Sequence, residues 1–432
     1  MLSRLDLRGV ADLADALPRP SIGGDEAAVA AAVRDILSAV RERGDAAVRE
    51  LTERFDGVVI DDLAVPESDW KRALDAITPE LRAALEMAAA NIESFQRAEA
   101  APAVRWARDG LVVRTIRTPV DRAGCYVPGG RAIYPSTVLM TAVPAKVAGV
   151  GEVALCVPPD GSGQVPAPVL AAAAIAGVDA VYRIGGAQAI GALAYGTESV
   201  RAVDVIVGPG NAYVAVAKRE VAGEGRVGVP SAFTGPSEVV VIADDSVPAA
   251  YAAIDVVLQA EHGPDGLAWL ITWSDAVADA VTSAVASITN AASRRAEIEA
   301  TLGANGRCVV VDGPEQAMAV ANLIAPEHLE LLVADPDSLV PLVRHAGAVF
   351  CGPWAPASVG DYIAGPSHVL PTYGSARFAG ALTVDDFSKP VHIVDVDRAA
   401  FDALAPHVTA LATAEGLDAH ADSIRLREGP PR

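Results

Sequence analysis

Apolar residues recur along this chain in two alternating rhythms. Val29, Val33, Ile36, Leu37 and Val40 keep helical spacing from Asp25 onward, and Gly44 breaks it. Asp45 is placed to cap a second helix running to Phe55. Thr78-Pro79-Glu80 combines a cap, a first-turn proline and an acid at the positive end of the dipole, and predicts a helix reaching Arg97. LVVRTIR (111–117) reads as a strand. Beyond it, valine-rich runs at 153–157, 203–207, 238–243, 268–273, 308–311 and 347–351 are bounded by Gly, Pro or Asp. Ala-rich helical segments separate most of them. Buried parallel strands with crossover helices leave this signature, so the predicted class is α/β. The first 24 residues end in Pro18, Pro20, Gly23 and Gly24 and read as an arm. From Asp386 the pattern turns helical again and ends in a polar REGPPR tail, an appendage suited to packing on something else, such as a second subunit.

Composition narrows the class. The 432 residues are too many for one ordinary core and imply two or three domains. The net charge of −21 repels phosphate backbones, which argues against a nucleic-acid partner. The N-terminal stretch carries Asp6, Asp12 and Asp15 and has no apolar signal core. The longest apolar run, Val165 to Val178, contains two prolines and falls short of a membrane span. Cys125, Cys156, Cys308 and Cys351 lie far apart, without a Cys-x-x-Cys pair. The chain therefore reads as a cytoplasmic, acidic, multi-domain enzyme.

Candidate chemistry gathers at a few turns. Gly149-Val150-Gly151 precedes a strand, the wrong order for a dinucleotide fingerprint. Gly208-Pro209-Gly210-Asn211 follows a strand and opens a helix, so its amides could face a phosphate or ribose; a plain strand-to-helix turn fits equally well. Gly185-Gly186-Ala187-Gln188 and Tyr126-Val127-Pro128-Gly129-Gly130 are similar turns, and three together point to a ligand cleft. Gln259 and His262 fall three apart on one helical face. His328 follows Pro326-Glu327, Asp361 and His368 flank a Gly/Pro-broken segment, and Glu415 and His420 lie in the tail. Oxygen and imidazole donors without thiolate suit a zinc-like or manganese-like ion. The plain alternatives are a surface Gln-x-x-His pair and a helix start at Ala-Pro-Glu-His. His345, His392 and His407 have no such company. Cys351, in AVFCG, reads as the end of a buried strand, which disfavours a thiol nucleophile. A zinc hydrolase would use the same donors but would not need three Gly-rich turns, and a non-catalytic metal scaffold would not gather so many ionisable groups on loops.

The stretches YVPGG (126–130), GGAQAIGALAYGT (185–197), VGPGN (207–211), GPSE (235–238), QAEHGPD (259–265), APEHLEL (325–331), GDYIAGPSHVLPT (360–372) and AEGLDAHADS (414–423) resemble histidinol dehydrogenase, in order and at full family length. The resemblance implies a four-electron oxidation of L-histidinol through L-histidinal to L-histidine with two NAD, the last steps of histidine biosynthesis. It implies two Rossmann-like, aldehyde-dehydrogenase-like three-layer domains in an intertwined homodimer. Residues 25–125 with 239–383 would form the metal and substrate domain, 126–238 the NAD domain, and 384–432 a tail exchanged across the dimer. Zinc would be held by Gln259, His262, Asp361 and, from the other subunit, His420. Glu327 and His328 map onto the acid–base pair, Ser237, His368 and Glu415 onto further substrate contacts, and Tyr126, Gln188 and Asn211 onto NAD contacts. A related zinc- and NAD-dependent dehydrogenase of another small amino alcohol or polyol is the alternative.

Overall fold

The computed structural model describes the chain apart from residues 19–25, 131, 231–234, 236, 264–265 and 429–432. Pro20, Gly23, Gly24 and Asp25 of the expected arm and first helix, parts of the GPSE and QAEHGPD stretches, and the end of the tail lie outside the described residues.

The first strand is β1 (Ser3–Asp6). A run of helices separates it from β2 (Val104–Arg108) and β3 (Leu111–Pro119). Next come β4 (Arg122–Tyr126), β5 (Glu152–Val157), β6 (Ala180–Arg183) and β7 (Val205–Val207). Then follow β8 (Glu238–Ala243), β9 (Leu267–Thr272), β10 (Gly306–Val310), β11 (His328–Leu332) and β12 (Ala348–Cys351). The last is β13 (Ser388–Val396).

One parallel sheet of six runs β1-β10-β9-β8-β11-β12, and a parallel sheet of four runs β6-β5-β4-β7. The valine runs form these strands because both faces are covered by helices, the condition under which unalternating apolar strands are stable. Val239 and Val241 face the helix Ala249–Ala260, whereas Val240, Ile242, Leu329 and Leu331 pack on the opposite face with Val320 and Ala321. No helix among the described residues is long and apolar enough to cross a membrane.

Several boundaries differ from the sequence reading. The N-terminal arm supplies β1, an edge strand paired with β10. Helices between residues 26 and 99 cover the two faces of the four-stranded sheet: Val33, Leu37 and Val48 pack with Ala154 and Ile206, and Trp70, Leu85 and Ile92 with Val153 and Leu155. The predicted grouping of 25–125 with 239–383 placed them with the other sheet. Asp45 opens its helix but does not cap it, because its carboxylate accepts hydrogen bonds from the Ser199 amide (3.2 Å) and hydroxyl.

The chain divides into two units, residues 1–99 with 120–387 and residues 100–119 with 388–432. In the second unit β13, β3 and β2 form an antiparallel sheet, and helices Arg398–Ala414 and Asp418–Glu428 follow. The segment from Asp386, expected to be helical, therefore begins as a nine-residue strand. Val391, Ile393 and Val394 favour extended backbone, and Pro390 is tolerated because β13 is an edge.

Candidate active site

β11 begins at His328, directly after Pro326-Glu327. Ala-Pro-Glu-His is thus a strand start, contrary to the helix-start alternative; Ala325, in the left-handed region (φ 54°), ends the preceding helix. Side chains of a strand alternate in direction, so His328 and Glu330 share the face toward the helix Ala249–Ala260 while Leu329 and Leu331 fill the opposite core.

His328 is buried and engaged at both ring nitrogens. Nδ1 lies 2.7 Å from Gln259 Nε2 and 3.0 Å from the Glu238 carbonyl oxygen, and Nε2 lies 3.2 Å from Asp361 Oδ1. With the ring proton on Nε2, Nε2–H donates to Asp361 and Gln259 donates to Nδ1. The Phe350 ring stacks on the imidazole at 5.8 Å between centroids and 24° between planes. Glu327 Oε2 sits 3.4 Å from Nδ1 and accepts from the Glu238 amide at 2.8 Å. Burial opposes the imidazolium, yet Glu327 and Asp361 outweigh it and hold His328 well above its ordinary range. Burial likewise works against the Asp361 carboxylate, but His328, with His368 and His262 behind it, keeps that group below the usual carboxylate range. His368 closes this side: its Nε2 lies 3.0 Å from Thr137 Oγ1 and its Nδ1 2.9 Å from the Asp361 carbonyl oxygen.

Gln259 lies in the last turn of the helix Ala249–Ala260, and His262 falls in the turn beyond it, so the two do not share a helical face. Gln259 is buried, and its Oε1 has no hydrogen-bond partner among the described residues. Ser237 is half-buried just before β8, with its carbonyl accepting from the Leu267 amide at 3.1 Å. Gln259, His262, Glu327, His328, Asp361 and His368 are thus brought together. Glu415 and His420 belong to the second unit, both solvent-exposed. Among the described residues no cluster of three His, Cys, Asp or Glu side chains is gathered for a metal; the first unit's part of the expected set has two such groups and an amide.

The three Gly-rich turns interlock. The Gly186 amide donates to the Tyr126 hydroxyl at 3.1 Å, and a Cβ on Gly208 (φ 109°) would strike the Tyr126 carbonyl oxygen. Asn211 caps the helix Ala212–Gly223, accepting from the Val214 amide at 3.1 Å. Gln188 is buried with neither amide atom partnered among the described residues. Such a pair of orphaned groups fits a polar ligand seated over the turn.

Sequence reading passed over four residues of this region: Glu238, Asp255, Glu330 and Lys218, all buried. The signal was present as a single charge inside an apolar run (EVVVIA, AAIDVVL, HLELL, AYVAVAK). Burial and the neighbouring Glu327 push the Glu238 carboxyl up to about 8, so Glu238 is neutral at pH 7.

Fold and site together describe a class: an α/β protein with a buried His, Glu and Asp cluster on one parallel sheet and Gly-rich strand-to-helix turns on the other. The histidinol dehydrogenase family profile matches residues 21–428. A histidinol dehydrogenase from Parasynechococcus marenigrum (strain WH8102) is 50% identical over 394 residues, 91% of this chain and 89% of the relative. One from Methanosarcina barkeri (strain Fusaro / DSM 804) is 44% identical over 404 residues, 93% and 92% of the two. The crystal structure of histidinol dehydrogenase from Elizabethkingia anophelis matches with a TM-score of 0.93 at 31% identity, covering 99% of this chain and 98% of that one. The chain belongs to the histidinol dehydrogenase family and is an NAD-dependent oxidoreductase.

Proposed function

We propose that this chain oxidises L-histidinol through L-histidinal to L-histidine with two NAD in sequence, closing histidine biosynthesis in the cytoplasm. The observation that carries the reading is His328, held at both ring nitrogens between Gln259 and Asp361 and flanked by Glu327. In its neutral form an imidazole fixed in this way is a base aimed by its neighbours, able to take the alcohol proton as hydride leaves for nicotinamide. The aldehyde then needs water, and Glu327, tied at Oε2 to the Glu238 amide, is the carboxylate placed to take that water's proton. Tyr126, Gln188 and Asn211 line the turns that would receive NAD, and Ser237 and His368 are the substrate contacts on this unit.

Zinc fits the donor set. The orphaned Gln259 Oε1 and the Asp361 carboxylate are oxygen donors beside the His262 imidazole, an arrangement without thiolate that suits zinc with positions open to substrate. When bound there, zinc would supply a template that orients the amino-imidazole substrate. Glu415 and His420 complete the site from a second copy in a homodimer. The second unit supports this reading by exposing Trp106, Ile116, Val394, Val396 and Leu411, more apolar surface than a self-contained appendage needs.

The deciding measurement is NADH formed per histidinol consumed, with and without chelator. Two NADH, lost on chelation and restored by zinc, is the expected result; one NADH, or turnover in metal-free protein, overturns it. For the dimer, His420→Ala and Asp361→Ala chains refolded together should regain about a quarter of full activity if roughly half the dimers are mixed. No regain in confirmed mixed dimers places His420 elsewhere.

A further inference from the structure

Two residues beyond His328 on the same face of β11, Glu330 is fully buried, and its partner is another acid. Glu330 Oε1 accepts from the Ala357 amide at 2.9 Å, the first residue of the helix Ala357–Tyr362. No N–H or hydroxyl among the described residues donates to Oε2. The carboxyl of Asp255, itself buried on the helix Ala249–Ala260, interacts with that of Glu330, and two buried carboxyls side by side favour holding one proton between them.

The arrangement repeats the site above it. His328 joins Gln259 on one helix to Asp361 on the other, and Glu330 joins Asp255 to Ala357 on the same two helices. Asp255 to Gln259 and Ala357 to Asp361 are four residues each, a rise of about 6 Å on a helix. Glu330 to His328 is two residues, about 6.6 Å on a strand. The three spacings agree, so the two rungs are parallel and the lower sets the height of the upper. Burial raises both acids out of the ordinary carboxylate range, consistent with a retained proton.

We propose that the Asp255–Glu330 pair is a positioning device, a clamp that fixes both helices on β11 so that Gln259 and Asp361 meet the two ring nitrogens of His328. It rests on the reading of His328, Gln259 and Asp361 as the site. Neither acid touches the reacting atoms.

Glu330→Gln carries its own hydrogen for Asp255 and still accepts from Ala357, so it should keep kcat within about threefold of the parent. Asp255→Leu/Glu330→Met fills the space without the clamp and should lose about 10–100-fold in kcat and about tenfold in zinc affinity, measured by chelator competition. NAD affinity and melting temperature should stay near the parent's. Glu330→Asp, too short to span both partners, is the second variant should the double one not fold, and should fall about tenfold in kcat. Parental kcat and zinc affinity in a folded double variant, or in Glu330→Asp, overturn the clamp, as does a Glu330→Gln as impaired as Glu330→Asp. His328→Asn is run alongside: if it too keeps full activity, the fault lies in the site reading.

Discussion

The two parallel sheets are built from similar valine runs but carry opposite kinds of equipment. In the six-stranded sheet, β8 and β11 begin with or contain Glu238, His328 and Glu330, and the covering helix adds Asp255 and Gln259, all buried. In the four-stranded sheet the buried strand side chains are apolar apart from Arg122 at the start of β4 and the Tyr126 and Tyr182 hydroxyls, and the working features are turns shaped by Gly186 and Gly208. On the function proposed above, the difference follows from the tasks. Moving protons requires ionisable groups whose affinities are set by burial and by one another. Holding a dinucleotide requires backbone amides brought close to the ligand, and side chains would only stand in the way.

The largest effects should come from the charged side. His328→Asn is expected to lower kcat with histidinol by about a thousandfold or more, the scale of removing a positioned base. It should spare the histidinal reaction by comparison, and Glu327→Gln should do the reverse, because the alcohol needs a base at its hydroxyl whereas the aldehyde needs an activated water. Rates on both substrates decide it. Equal losses in both variants on both substrates would mean that the two groups do not divide the labour.

On the turn side the equivalent lesion is a single methyl group. Gly208→Ala places a Cβ against the Tyr126 carbonyl oxygen at a backbone φ of 109°. Strain of this kind costs about 1–3 kcal/mol, and the turn must shift to relieve it. NAD affinity by titration should fall at least tenfold, a loss of about 1.4 kcal/mol, while the chemistry of His328 stays intact. If Gly208→Ala instead left NAD affinity alone and slowed hydride transfer at saturation, the separation of tasks between the sheets would not hold.

One charged group breaks the contrast and so sharpens it. Lys218 is fully buried in the helix behind Gly208, where its Nζ donates to the Gly208 carbonyl at 2.8 Å. Burial lowers it to about 7. Its affinity for protons is therefore weaker folded than unfolded, so between about pH 7 and 10 the unfolded state binds the extra proton and stability rises with pH, by at most about 1.4 kcal/mol per unit. Urea melts of the parent and of Lys218→Met across that range should differ by this slope. Identical slopes would show that Lys218 keeps its proton in the fold.

Fold class was legible because both parallel sheets depend on uninterrupted Val and Ile runs, which a reader sees directly. The candidate site residues on turns were proposed from Gly and His spacing. What the sequence concealed were pairings made across space. Glu330 opposite Asp255, Glu238 beside Glu327 and Asp45 on Ser199 each bring together residues far apart in the chain. The strand β13 was missed because Lys389, Pro390 and Asp395 interrupt its alternation, as an exposed edge permits. Cys351 was misplaced for a related reason. AVFCG has the composition of a core strand, but β12 is the sheet edge and Cys351 is exposed.

That exposure makes Cys351→Ser the smallest expected effect. The sequence reading of a buried thiol gives a cost of about 1–3 kcal/mol for an unpaired hydroxyl in the core; at an exposed position the change should stay within about 0.5 kcal/mol. Partial burial, and then the charge of Asp337, raise the Cys351 thiol above its ordinary range, so it is not a ready thiolate. An aldehyde step run by water on the Glu327 side leaves a thiol nothing to do. The variant should therefore match the parent on histidinal and in melting temperature alike. A folded Cys351→Ser that still oxidises histidinol to the aldehyde but no further would assign the second step to a covalent thiohemiacetal, and would move part of the chemistry from the buried charges of β8 and β11 to the open edge of the same sheet.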